Sequence, residues 1–299
     1  MLKNYIKIIY KIIKIEIIYK ILFYLFLFYK KKNNPKIIST YNLVNEINKL
    51  KKNGLIKLDD FYDREYLKKV NSKFTEHALN SFADFKFTVH PSFKHLSNID
   101  KNNINYYEVQ KLTNYIYLKE PLLFLDDILI LLNNQKLLFL LQDYFSCIPK
   151  LTGINIRRSF VNNLSDMETN HYHRDENSYN FLKMFIYLND VNLDGGPFTY
   201  VVGSHKDKNK IQGQYHFNDA QINNKYLKDN IFYATANLGD IIIANTRALH
   251  KGTKVEKKER TMITFNFGIH PDYFDFKSQI NLNQTEIKKL SSLNKLFFN

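Results

Sequence analysis

A chain of 299 residues with 44% hydrophobic content is long enough to bury one substantial core. Its single cysteine, Cys147, excludes an intrachain disulfide and makes a reducing compartment the default. The formal charge is +14, but residues 1–32 hold eight lysines and one glutamate, a net of +7, so the rest is only mildly basic. No compact arginine-rich patch exists, so a nucleic-acid partner is not expected, and a cytoplasmic location is.

Part of the lysine excess goes with a bias toward Ile, Asn, Tyr and Phe. Arginine is scarcer, with six residues at positions 64, 157, 158, 174, 247 and 260. A planar, forked donor does not interchange with lysine, so each arginine has its own reading.

In chain order, residues 1–32 read as a helix of two unlike halves. Lys3, Lys7, Lys11 and Lys14 recur at helical spacing, Ile21 to Tyr29 is apolar all round, and Lys30, Lys31 and Lys32 follow. Even extended back to Ile17 the apolar run is short of the ~20 residues that span a bilayer. No small-residue cleavage site follows, so a signal peptide is not expected. Two readings stand: a peripheral membrane anchor with its lysines on anionic headgroups, or a helix packed on the domain or on a partner chain. Asn33-Asn34-Pro35 breaks the pattern, and the chain divides into an extension (1–40), a main domain (41–275) and a helical tail (276–299).

Leu43, Val44, Ile47 and Leu50 mark an amphipathic helix stopped by Asn53-Gly54, and Leu55 to Leu58 suits a strand. Asp63 can cap a helix whose buried side is Tyr66, Leu67, Val70 and Phe74. Weak periodicity over 82–118 predicts loops. Pro121 opens a Leu-rich helix, and Asn134 caps another that runs to about Phe145. From Gly153 the pattern becomes short alternating runs: Ile154–Val161, Phe181–Leu188, Phe198–Val202, Asp240–Ala244 and Thr261–Phe267. Turn signals at Asn189-Asp190, Asp194-Gly195-Gly196-Pro197 and Gly239-Asp240 separate them, which predicts an antiparallel sandwich or barrel. Ile287, Leu290 and Phe297 at helical spacing predict a closing helix over Thr285–Phe298.

The chemistry gathers at Asn170-His171-Tyr172-His173-Arg174-Asp175. In an extended segment His173 and Asp175 point to the same side. His250, behind the apolar Ile241-Ile242-Ile243, can return to that pair as a third ligand. Three ligands on one face with three positions open is the arrangement of non-haem Fe(II) oxygenases. Arg260, ten residues after His250, is placed to hold the far carboxylate of a dicarboxylate cosubstrate. A cupin reading of His171, His173 and Glu176 is weaker, because no glycine follows until 195.

With those residues in place, the sequence from about 41 to 270 resembles the phytanoyl-CoA dioxygenase family of Fe(II)- and 2-oxoglutarate-dependent oxygenases. The resemblance rests on His173-Arg174-Asp175, on Lys183 to Val191, on Gly195-Gly196-Pro197 leading to Val202-Gly203-Ser204-His205, and on Gly239-Asp240, His250-Lys251-Gly252-Thr253 and Arg260. It implies a mostly β fold, a double-stranded β-helix (jelly-roll) core with N-terminal helices added. It also implies His173, Asp175 and His250 on iron and Arg260 on 2-oxoglutarate. Thr253 is a further cosubstrate candidate, with a plain turn residue as its other reading. The position two before His173, often Gln in the family, is His171 here. Asp175 excludes the halogenase variant, which lacks the carboxylate.

The expected reaction consumes O2 and 2-oxoglutarate and hydroxylates a small organic substrate, releasing succinate and CO2. The rival is a non-catalytic β-helix module for binding or scaffolding at a membrane. For the substrate end, Arg158 shares a strand face with Ile154, Ile156 and Phe160. If that apolar face points inward, Arg158 meets a carboxylate or phosphate on the substrate. A salt bridge to an internal acid, or packing outward on the Leu-rich helices, is the plainer alternative.

Overall fold

The computed structural model describes residues 20–21, 24–25, 27–29, 31–32, 37–38, 41–96, 104–167, 170–175, 180–207, 216–269, 280 and 282–298. The membrane reading of the N-terminal extension therefore falls mostly outside the described residues. Among those described, no helix is long and apolar enough to cross a membrane.

Helix α1 (Val44–Asn53) ends at Gly54, whose φ of 83° lies in the left-handed region that closes a helix, and β1 (Leu55–Leu58) follows directly. Asp63 accepts from the Tyr66 N–H to start α2 (Arg64–Asn80), as its spacing predicts. Residues 82–118, predicted as loops, instead contain β2 (Phe85–Lys86), the single turn α3 (Tyr106–Val109) and β3 (Tyr115–Leu118). Pro121 opens a short 3-10 turn, then α4 (Leu125–Leu132) and α5 (Gln135–Phe145) follow, the latter capped by Asn134.

The strands are β4 (Lys150–Ser159), β5 (Phe181–Tyr187), β6 (Phe198–Val201), β7 (Ile231–Ala234), β8 (Ile241–Ala244), β9 (His250–Gly252) and β10 (Arg260–Gly268). The one-turn helix α6 (Asp219–Asn223) precedes β7. The sequence pattern passes over β7 and β9, of which β9 has only three residues. The closing helix is two pieces, α7 (Gln284–Lys288) and α8 (Ser292–Phe298).

Seven strands form one antiparallel sheet in the order β1-β8-β5-β10-β4-β3-β2, and a smaller sheet runs β7-β6-β9. Phe185, Tyr187, Ile242 and Met262 of the large sheet pack with Phe198 and Tyr200 of the small one, so the two sheets close face to face on a jelly-roll interior. The other face of the large sheet is buried as well. Ile186, Ile243, Ile263 and Phe265 lie in one cluster with Leu50 of α1, Phe74 of α2, Leu132 of α4, Leu141 of α5 and Phe297 of α8. Both faces of the large sheet are covered, and the site is built on the face that looks at the small sheet.

Candidate metal centre

Backbone pairing brings the three sequence-predicted ligands together. His173 and His250 exchange both N–H···O bonds, at 2.9 and 3.0 Å, and the Asp175 N–H donates to the Thr246 carbonyl at 2.9 Å. The segment 170–175 thus runs beside the chain that enters β9, and β9 is held by β6 through the Tyr200–His250 pair. Histidine nitrogens and a carboxylate oxygen from His173, Asp175 and His250 lie within 4.8 Å of one another, a set able to hold a metal ion.

The ring orientations suit that use. The Nδ1 of His173 stands 2.9 Å from the His171 carbonyl, and the Nδ1 of His250 stands 2.9 Å from the Ala248 carbonyl. A carbonyl can only accept, so each Nδ1 carries the proton and each Nε2 keeps its lone pair for a metal. His171 therefore serves the centre through its backbone. The rings of His173 and His250 sit 4.4 Å apart, and the Nε2 of His250 is 3.4 Å from the Oδ2 of Asp175. The residues present fit a facially bound divalent ion.

Electrostatics keep the ligands in their metal-binding forms. Burial pushes the His250 imidazole down to about 4 and lowers that of His173 too, so both are neutral at neutral pH. Burial pushes the Asp175 carboxyl up, but the charge and hydrogen bond of Lys183, with a hydrogen bond from Thr246, more than offset it and leave it well below the usual carboxylate range. Lys183, on β5, places its Nζ 2.7 Å from the Asp175 Oδ2. From the sequence Lys183 could line the pocket, with a strand-edge lysine as the plainer reading; the structure aims it at the centre. Arg174 points the other way, and its Nη1 donates to the Ser204 carbonyl at 2.7 Å and the Arg247 carbonyl at 2.6 Å.

Beside this cluster lies a pocket lined by Arg157, Ser159, Asn170, Thr253, Lys254 and Arg260 among others. Arg260 is 4% exposed, and among the described residues its only hydrogen bonds are long ones, to the Thr253 carbonyl at 3.5 Å and the Ser159 Oγ at 3.3 Å. Its Nε is buried with no hydrogen bond among the described residues, so the guanidinium is left with capacity for an anion. Burial, and then the charge of Arg157, lowers it to about 10, still cationic at neutral pH. The Thr253 hydroxyl lies 2.7 Å from that of Thr199. Gly196, with φ of 63°, lets this wall approach: a Cβ there would meet the Thr253 and Lys254 carbonyls at 2.5 and 2.6 Å.

Arg158 is not brought to the centre. Its apolar face is the helix-covered outer face of the large sheet, where it donates to Thr261 Oγ1, Tyr106 Oη, Asn71 Oδ1 and Thr75 Oγ1. Glu259 stands 4.0 Å from its Nε. Those donors are committed to protein groups, which favours the plainer structural alternative for Arg158 over the substrate one. Alternation correctly grouped the residues of β4 by face. The substrate reading required that apolar face to be the barrel interior, whereas the outward-packing alternative did not.

A phytanoyl-CoA dioxygenase (PhyH) family profile matches residues 50–260. The chain belongs to the phytanoyl-CoA dioxygenase family. As a member of that family it is an Fe(II)- and 2-oxoglutarate-dependent oxygenase, and the His-Asp-His cluster agrees with this. Among solved structures, the epimerase SnoN, in complex with Fe3+, alpha-ketoglutarate and nogalamycin RO, is 12% identical with a TM-score of 0.54, covering 76% of this chain and 83% of its own. HygX from Streptomyces hygroscopicus, with nickel and 2-oxoglutarate bound, is 14% identical with a TM-score of 0.49, covering 76% of this chain and 87% of its own. At such identities the likeness to SnoN shows the jelly-roll fold alone. No protein of curated function matches the sequence.

Proposed function

We propose that this phytanoyl-CoA dioxygenase family member hydroxylates a small organic substrate, with His173 Nε2, His250 Nε2 and Asp175 holding Fe(II) and Arg260 holding the distal carboxylate of 2-oxoglutarate. The observation that carries this reading is the pair of Nδ1-anchored histidines with Asp175 inside a 4.8 Å cluster. A non-catalytic module would have no use for two imidazoles that both present Nε2 to one carboxylate. When bound, the metal supplies activation of O2 coupled to decarboxylation of 2-oxoglutarate to succinate and CO2.

The protein's own part is orientation and exclusion of water. The carbonyls of His171 and Ala248 fix the imidazole tautomers, Arg174 ties the loop between the ligands to its neighbours, and Phe198 lies 5.4 Å from the His250 ring as an apolar wall. Arg260 fixes the cosubstrate tail by charge-assisted hydrogen bonds in a pocket already lined with donors.

The test is conversion of 2-oxoglutarate to succinate by the full chain with Fe(II) and O2, followed by a screen of small-molecule pools for a product gaining one oxygen. His173→Ala, Asp175→Ala and His250→Ala are each expected to abolish turnover and weaken Fe(II) binding by more than about 100-fold while the circular dichroism stays native. Wild-type turnover in any one of these variants removes that residue from the ligand set.

A further inference from the structure

Arg157 is the residue next to Arg158, and the two differ in every respect that matters for binding. Arg158 is 5% exposed and spends its donors on four side chains of the protein. Arg157 lies on the opposite face of β4, toward the sheet interior, and lines the same pocket as Arg260. Among the described residues it donates no hydrogen bond and meets no carboxylate. Its guanidinium stands 5.2 Å from the ring of Tyr115 and 5.9 Å from that of Tyr117. Two aromatic faces hold such a cation by its plane and leave its N–H edge free.

The register of the sheet sets the distance between the two arginines. Ser159 pairs with Arg260 and Arg157 pairs with Met262, so Arg157 and Arg260 are diagonal neighbours on one face of adjacent strands. Like charges in that relationship repel, and the effect shows in Arg260, whose guanidinium is lowered by burial and then by Arg157. Lys254 adds a third cation to the wall, its Nζ bonded to the Leu164 carbonyl. Among the described residues, no aspartate or glutamate lines the pocket. A buried cation normally has an anionic partner. Here two guanidinium groups come to one cavity, and among the described residues no acid joins them and the Arg260 Nε has no hydrogen bond.

We propose that Arg157 is a second anchor for the cosubstrate, so that the distal carboxylate of 2-oxoglutarate is clamped between Arg157 and Arg260. The inference rests on the 2-oxoglutarate reading given above and deepens it: the pocket selects a 2-oxo acid by the charge of its tail. A carboxylate offers lone pairs in two directions and can accept from two forks at once. One anion between the two cations turns their repulsion into attraction, which a single-arginine pocket has no need of.

The experiment is anaerobic titration of the Fe(II)-loaded full chain, following the visible charge-transfer band of the 2-oxo acid complex, which reads binding and not turnover. Arg157→Met is expected to raise the Kd for 2-oxoglutarate by about tenfold, and Arg157→Lys by less, with Fe(II) affinity unchanged. Arg260→Met serves as the control and should raise it further. The same titration with 2-oxopentanoate, which lacks the distal carboxylate, separates charge recognition from folding. Wild type and Arg157→Met should bind that acid equally. Equal weakening of both acids by Arg157→Met assigns Arg157 a structural role and overturns the inference. A change with Arg260→Met but none with Arg157→Met overturns it too, while leaving the cosubstrate reading intact. Failure of the wild type to bind 2-oxoglutarate, or silence of both variants, takes down that reading and the inference with it.

Discussion

Lys183 Nζ stands 2.7 Å from Asp175 Oδ2, the same oxygen that faces His250 Nε2 at 3.4 Å. The carboxylate the metal needs is thus ion-paired by the protein itself. Metal and ammonium compete for one oxygen, and Lys183 must release it, or at least share it, when the ion arrives.

That competition gives Lys183→Met two effects of opposite sign. Without its cation the buried carboxylate of Asp175 is uncompensated in the metal-free protein, which should lose about 2 kcal/mol of stability. Fe(II) then meets neither a competitor nor a like charge, so its affinity should rise by about tenfold. Chemical unfolding of the metal-free protein and calorimetric metal titration read the two. A variant that binds metal more weakly than wild type would mean that Lys183 orients Asp175 rather than competing for it.

Arg174 sits between the two ligands of the 170–175 segment, and one of its nitrogens holds two carbonyls, those of Ser204 and Arg247. Both lie on loops that meet at the centre, the second just ahead of His250. Arg174→Ala should therefore lower metal affinity by about tenfold without touching a ligand, in the manner of other outer-shell supports. It should also cost about 2 kcal/mol, because two buried carbonyls lose their donor. Lysine at 174 reaches only one carbonyl well and should recover part of each loss. Unchanged metal affinity in Arg174→Ala would make the residue a general brace with no bearing on the centre.

Arg158 makes the converse case. Its hydrogen bonds join β4 to α2 and α3 through Asn71, Thr75 and Tyr106, and its guanidinium stands 5.0 Å from the ring of Phe74. Arg158→Met should lower stability by about 3 kcal/mol, from the loss of four side-chain hydrogen bonds in a buried setting. The Kd for 2-oxoglutarate should stay within about twofold, since nothing at the pocket changes. Thermal melts and the anaerobic titration separate the two quantities. A stable protein with weak cosubstrate or substrate binding would return Arg158 to the site.

These cases show what the sequence made legible. His173 and Asp175 could be read because one intervening residue in an extended segment settles their relative direction locally. His250 could be read from the buried Ile241-Ile242-Ile243 strand ahead of it. The roles of Lys183, Arg157 and Arg158 could not, since each depends on which covered face of a two-faced sheet looks at the small sheet. Ile154, Ile156 and Phe160 mark an apolar face equally well against helices or against a second sheet. Only the packing of α2 over β4 decides between them. The 82–118 region was harder for a related reason: β3 exists because the edge of β4 offers Ser159, Arg158 and Arg157 as backbone partners, a long-range event with no local pattern.

The histidines make the stability of the metal-free protein depend on pH in a direction that can be worked out. In the unfolded chain His250 titrates near its ordinary 6.5, whereas burial holds it near 4 in the folded protein. Between those values the unfolded state binds more protons than the native one, so stability rises with pH across the window. The contribution is complete above about 6.5 and is lost as the pH falls toward 4, by on the order of 3 kcal/mol. His173, also lowered by burial, adds with the same sign. Asp175 is lowered as well, but a carboxyl with that shift loses its contribution only below the ordinary value of 3.8, outside the window. Fe(II) affinity should fall over the same range, because the ion needs the unprotonated imidazoles. Urea unfolding at a series of pH values checks this. His250→Gln, which cannot titrate, should remove most of the slope between pH 4 and 6.5 relative to wild type. An equal slope in that variant would place the acid sensitivity in some other group.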